Sequence, residues 1–147
     1  MDDQLFENLA KKYPDLFQKA KVDDFKIGNG WYDLLDTLCD VISREVNYIR
    51  SMIKYSIENN QPNIAEREEE LEAAVENLPT IIHVKVKFGS LSFYTDGGSK
   101  EHECYIQFAE NMSTKICEKC GSPGQFRGHG WIKVLCDKHD EEMAKFK

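Results

Sequence analysis

Along the chain the apolar residues follow a helical period, then a strand period, then a helical period again. Residues 3–13 place Leu5, Phe6, Leu9 and Tyr13 on one side of a short helix that Pro14 ends. Leu16 and Phe17 add a second apolar anchor. Residues 18–30 are polar and close on Gly28-Asn29-Gly30, a turn signal. From Trp31 to Glu58, the residues Trp31, Leu34, Leu35, Leu38, Ile42, Val46, Ile49, Ile53 and Ile57 recur at three- and four-residue steps. This stripe predicts the principal helix of the core. Asn59-Asn60-Gln61-Pro62 ends it. Asn63 with Glu66 has the form of a capping box opening a second helix, with Ile64, Leu71, Val75 and Leu78 inward and residues 66–72 as its solvated face.

After Pro79 the period drops to two. Ile82, Val84, Val86 and Phe88 alternate with Ile81, His83, Lys85 and Lys87. Gly89-Ser90 suits a type II′ turn, and Leu91, Phe93 and Thr95 return opposite Ser92 and Tyr94. Beyond Asp96-Gly97-Gly98, Ser99 caps a helix to about Lys115 whose inner stripe is Tyr105, Phe108, Ala109 and Met112. The order helix, helix, helix, hairpin, helix and C-terminal module predicts an α+β fold. Residues 1–115 form the α+β domain in this reading, and residues 116–147 a small module packed on it.

That module carries the strongest chemical signal. Cys117 and Cys120 are followed, after fifteen residues, by Cys136 and His139. Two ligand pairs, each with two residues between, are the spacing of a zinc knuckle or ribbon. Gly121 permits the tight turn after the first pair, and the second pair fits the start of a helix. Four protein ligands leave no open position, so the expectation is one structural zinc ion per chain and no zinc enzyme. His129 has poor spacing for a ligand. The deaminase pattern is missing, since His83 is followed by Val-Lys and Ile116 precedes Cys117. No metalloprotease helix, Walker loop or nucleophile elbow is present. Asp36 and Asp40 lie four apart, but Asp40 can pair with Arg44 on an exposed face.

Charge narrows the partners. The formal net charge is -7, with 17 acids and 9 bases in residues 1–80 and 9 acids and 10 bases in residues 81–147. A duplex-binding protein usually carries a basic half, and none exists here. Cys39 and Cys104 read as small buried hydrophobes rather than a disulfide pair. The thiolate set implies a reducing compartment. The chain opens on acidic residues without an apolar segment, and no apolar run is long enough to span a bilayer, so a cytoplasmic protein is expected.

Two surfaces could take a ligand. Lys85, Lys87 and Tyr94, beside His83, form the polar face of the hairpin. This is either a small cationic surface for a phosphate or acidic partner, or an ordinary solvated sheet face. Residues 121–135 hold four glycines with Arg127, His129, Trp131 and Lys133. They form either an anion or aromatic-ring pocket, or a plain knuckle hairpin whose Trp131 packs on the core. The start of the long helix, Asn29 to Asp33, offers free N–H groups, although Trp31 reads more simply as a core anchor.

Several stretches together resemble a family of small proteins encoded by bacteriophages and bacteria. They are Lys12-Tyr13-Pro14, residues 30–39 (GWYDLLDTLC), residues 84–94 (VKVKFGSLSFY), residues 109–113 (AENMS) and residues 130–139 (GWIKVLCDKH). The family's hairpin reads V-K-E-K-F-G-x-L-R-F-Y. Here Val86 and Ser92 stand at the acidic and arginine positions, so a contact made by those two groups has no counterpart. The resemblance implies a phage-type accessory protein of the host cytoplasm that inhibits or sequesters a host defence component. The partner would be a host protein or a small anionic nucleotide. The alternative is a transcription modulator that binds RNA polymerase or nucleic acid through the zinc module. Its long coiled coil would need acids at the tip, and Asn59-Asn60-Gln61-Pro62 has none. The long apolar stripe also offers a homodimer interface.

Overall fold

The apolar run after Gly30 folds as the central helix. In the computed structural model, which describes residues 1–145, α1 spans Asp3–Lys12, α2 Tyr32–Glu58, α3 Ile64–Glu76, α4 Lys100–Ser113 and α5 Asp137–Ala144. Strands β1 (Phe25–Lys26), β2 (Thr80–Lys87) and β3 (Ser90–Asp96) form one sheet, and β4 (Gln125–His129) and β5 (Trp131–Leu135) a second. The class is α+β with a C-terminal Cys/His cluster, as the period changes predict.

Trp31, just before α2, and Leu35, Leu38, Cys39, Ile42, Val46 and Ile49 within it are buried. The stripe then turns away from Ile57, which is exposed, to Ser56, which is buried. Steps of 49, 53 and 56 keep one face at 3.6 residues per turn, and 57 falls on its flank. Ser56 donates to Asn63 Oδ1 at 3.1 Å, so Asn63 does not cap α3 as its spacing with Glu66 predicts. On the other side, α1 buries Leu9, with Tyr13 just beyond its end. Tyr13 donates to Asp36 Oδ1 at 2.6 Å, and Lys12 reaches the same carboxylate at 3.0 Å. Burial would raise the Asp36 carboxyl, but these two bonds bring it below its ordinary value. Asp36 is therefore a tie between α1 and α2, and Asp40 contacts Arg44 at 3.7 Å.

The sheet was only partly legible. The segment read as a polar loop contains β1, which pairs parallel to β2 through Phe25–Val84 and Lys26–Lys85. Phe25 packs with Phe6 and Phe17 at ring distances of 5.0 and 5.5 Å. A bulge between Ile81 and His83 breaks the expected alternation, so Ile81 rather than Ile82 joins Val84 in the core. The hairpin turn is also shifted by one residue. Lys87 pairs with Ser90, and Phe88 and Gly89 take φ of 51° and 84°, the pair of left-handed residues a type I′ turn needs. Phe88 is thus exposed at a turn and not in the core.

Helix α4 is rotated from its expected face. His102, Ile106, Ala109 and Ser113 are buried, while Tyr105 and Phe108 are exposed. Polar demand at the sheet edge accounts for this. Leu91 N–H donates to Ser113 Oγ at 2.9 Å and Phe93 N–H to Glu110 Oε2 at 3.0 Å. These side chains satisfy the outer edge of β3, which would otherwise lie unpaired under a helix. Tyr105 and Phe108 instead line an apolar cleft of about 180 Å³ with Leu34, Leu38 and Val41. Cys104, expected to be buried, is exposed; Cys39 is buried, and both are free thiols.

Ser99 caps α4 as expected, but its reciprocal partner is a histidine. Ser99 Oγ accepts from His102 N–H at 3.3 Å, and His102 Nδ1 accepts from Ser99 N–H at 3.0 Å. Burial holds the imidazole below its ordinary pKa against the pull of Glu101 and Glu45. The unfolded chain therefore takes the proton first. Stability present above the ordinary histidine pKa of about 6.5 is lost as pH falls below it. Urea midpoints from about pH 7.5 to about pH 5.5 should fall further in the wild type than in His102→Gln, by about one net hydrogen bond, ~1 kcal/mol. Equal falls would remove His102 from the acid response.

Candidate metal centre

Local backbone chemistry assembles the site. Ile116 and Pro123 form a bridge, Cys117 N–H donates to Ser122 O at 2.7 Å, and Gly121 N–H donates to Cys117 O at 2.9 Å. Gly121 has a φ of 82°, so the glycine the sequence marked is the one the turn needs. Cys136 stands directly before α5, whose first turn carries His139. Hairpin β4–β5 spans the two ligand turns, pairing Arg127 with Lys133 and Phe126 with Val134.

The ligand atoms of Cys117, Cys120, Cys136 and His139 all lie within 4.8 Å of one another. Cys117 Sγ and Cys136 Sγ are 3.5 and 3.3 Å from His139 Nδ1, and Cys120 Sγ is 3.8 Å from Cys136 Sγ. Donors at zinc–thiolate and zinc–imidazole bond lengths of about 2.3 and 2.1 Å form tetrahedral edges of about 3.6–3.8 Å. The four residues therefore fit a tetrahedral ion with Nδ1 as the imidazole donor. His139 Nε2 faces the Glu142 carboxylate at 3.8 Å, on the side where metal-bound histidines commonly have a carboxylate. Hydrogen bonds from the Ser122 hydroxyl and backbone draw the exposed Cys120 thiol down to about 6. That favours the thiolate a metal binds.

Comparison with family models, curated proteins and solved structures gives no match. Among the described residues, no helix is long and apolar enough to cross a membrane.

What the sequence did not announce is how the site is joined to the rest of the protein. Gly28-Asn29-Gly30 is a cradle for the first ligand turn. Gly30 N–H donates to Glu118 O at 2.7 Å, and Trp31 Nε1–H donates to Ile116 O at 2.9 Å. A Cβ on Gly30 would lie 2.2 Å from Cys117 O and 2.6 Å from Cys120 N; one on Gly28 would lie 2.3 Å from Glu118 O. The start of α2, considered above as a ligand site, is occupied by the knuckle itself. Glu118 is buried with Oε2 unpartnered, and burial raises its carboxyl above the ordinary range. The glycine pair was visible as a turn, but nothing in the spacing tied it to residues nearly ninety positions away.

The six ligand-surface candidates are not brought into one pocket. Lys85, Lys87 and Tyr94 lie on the outer side of β2–β3, with Tyr94 stacked on His83 at 4.8 Å. Arg127 is drawn in the other direction, donating to Asp137 at 2.6 Å, Asp140 at 3.2 Å and Leu135 O at 3.3 Å. Lys133 is half-buried, and its charge acts on Glu118. His129 ends β4, and its side chain lies outside the described residues. Trp131 does not pack on the core; it is 83% exposed. The Arg127 fork clamps β4 to the first turn of α5 and so positions His139. Arg127→Ala should weaken metal affinity about 10-fold, read by competition with a chromogenic chelator. An unchanged affinity would show that α5 is set without the clamp.

Proposed function

We propose that the protein is a non-catalytic binding module whose fold is fixed by one structural zinc ion. As a phage-type accessory protein in the host cytoplasm, it would inhibit or sequester a host component. One observation carries this reading: three thiols and one imidazole converge within 4.8 Å of one another, with three of their separations near tetrahedral edge lengths, so the chain could fill all four positions of an ion. Such a set leaves no place for a reacting water and acts as a cross-link. Three sulfurs favour zinc over the harder divalent ions. The biological half of the reading rests on the resemblance of residues 30–39, 84–94 and 130–139 to phage and bacterial accessory proteins.

A host protein fits better than a small anionic nucleotide as the component. Arg127, the guanidinium best suited to a phosphate, is committed to Asp137 and Asp140. The polymerase reading draws no support from the helical pair. Helix α3 is 13 residues against 27 in α2, and their junction carries no acid.

The test is X-ray absorption together with native mass spectrometry on protein purified from cells. One zinc per chain in a shell of three sulfurs and one nitrogen is expected. A bound water or a second oxygen donor in that shell would overturn the closed-site reading. A released nucleotide-sized mass would move the partner from protein to nucleotide.

A further inference from the structure

Two aromatic side chains stand in water where folding gains nothing from them. Phe88 is 82% exposed at a left-handed φ of 51°, and Trp131 is 83% exposed beside the Gly130 turn. A bulky residue at positive φ costs about 1 kcal/mol or more, and such strain concentrates at functional positions. The two turns are held together. A Cβ on Gly89 would lie 2.8 Å from Ile132 Cγ2 and 3.1 Å from Phe126 Cε1, so only glycine lets the hairpin tips touch. Between them is an open cleft of about 470 Å³ lined by Val86, Lys87, Phe88, Trp131 and Ile132.

A row of cations leads into that cleft. Lys26 pairs with Lys85 across β1–β2, and Lys85 and Lys87 alternate along β2 on the same outer face. All three are exposed, and none forms an ion pair with a described residue. The row begins at the stacked rings of His83 and Tyr94. From His83 to Phe88 the strand covers about 17 Å. Asp96 pairs with Thr80 at the other end of the sheet, but Asp24 stands level with His83 and, with Asp3 and Asp23, lines a cleft beside Lys26, so the cations that carry the row toward the aromatic cleft are Lys85 and Lys87.

We propose that this face binds single-stranded nucleic acid, with phosphates along Lys85 and Lys87 and bases against Trp131, Phe88 and Tyr94. A line of cations flanked by exposed aromatic planes is the arrangement by which single strands are held without sequence readout. It rests on the binding-module reading but replaces the host protein favoured there with nucleic acid, an anion met by these lysines and not by Arg127. The same features disfavour duplex, since its bases are already stacked and the chain lacks a basic half. A symmetric dimer through this face would set lysine against lysine.

The probe is a labelled oligothymidylate of about 12 nucleotides, titrated with the metal-loaded full chain at several salt concentrations, with the matching duplex as comparison. Trp31 is fully buried, so quenching of emission reports Trp131. The expected result is single-strand binding with quenching, a log–log salt slope of about -1.4 for two phosphate contacts, and little duplex binding. Trp131→Ala should weaken binding between about 5- and 150-fold, and a Lys85→Ala/Lys87→Ala double variant should remove most of the salt dependence. These side chains are exposed, so the variants should keep their metal and melting temperature. Absence of oligonucleotide binding, or binding unaffected by all three substitutions, would overturn the proposal. If a protein partner instead protected Trp131 while the oligonucleotide did not, the face would be a protein-docking site and the proposal would equally fall. Metal content on the same samples separates the two readings: a loaded, folded chain that ignores the oligonucleotide leaves the zinc module standing, and a metal-free folded chain removes it.

Discussion

Stripping the metal should melt residues 115–140 and release the start of α2 with them. The first ligand turn supplies its own carbonyls to the rest of the fold: Ile116 O takes the Trp31 indole and Glu118 O takes the Gly30 amide. Without the ion, three thiols crowd one imidazole with nothing to hold them. Structural zinc sites contribute about 10–16 kcal/mol in apparent binding energy at neutral pH, as much as the whole stability of a typical domain of about 5–15 kcal/mol. Hydrogen exchange before and after chelation is the measurement. Protection should vanish across 115–140 and at the Gly30 amide, while the Leu35–Ile49 part of α2 keeps more of its own. A melting temperature and exchange pattern untouched by chelator would sink the metal assignment.

Gly30→Ala should cost about 3 kcal/mol or more, the upper end of what overpacking a rigid site produces. The added methyl would meet Cys117 O at 2.2 Å and the Cys120 amide at 2.6 Å, both backbone atoms of the ligand turn, so no side-chain rotation relieves it. Gly30 is not in a left-handed conformation, so the demand is for space alone. Gly128→Ala is the matched control. A Cβ there meets nothing within 4 Å, and the change should stay within about 0.5 kcal/mol. Urea unfolding of both variants, with cobalt substitution to report ligand geometry, tests the pair. Similar small costs for both would mean that the knuckle does not seat on Gly30.

The helical half was legible because its signal is local and repeated. The 27 residues of α2, about seven turns, repeat one apolar stripe, and an error at Ile57 does not disturb the rest. Strand β2 offers half as many inward positions, so one bulge between Ile81 and His83 changes the facing of a core residue. The type I′ turn was missed because Phe88 is a poor candidate for positive φ and Gly89-Ser90 a better one by composition. Helix α4 was misread for a different reason. Its orientation is set by the unpaired amides of Leu91 and Phe93, which belong to another element. Arg127 was read as a free cation because the carboxylates that hold it, Asp137 and Asp140, lie on the far side of the hairpin.

The sequence by itself determined the α+β class, the central helix and the Cys3His set that could hold a metal. Each is a matter of spacing along one chain segment, and spacing is what helical periodicity and ligand turns require. Only the tertiary structure decided that Gly28 and Gly30 seat the ligand turn, that Arg127 clamps rather than reaches out, and that Phe88 and Trp131 meet at one cleft. Those outcomes depend on steric fit and charge pairing between segments far apart in the chain, and no pattern within either segment encodes its partner.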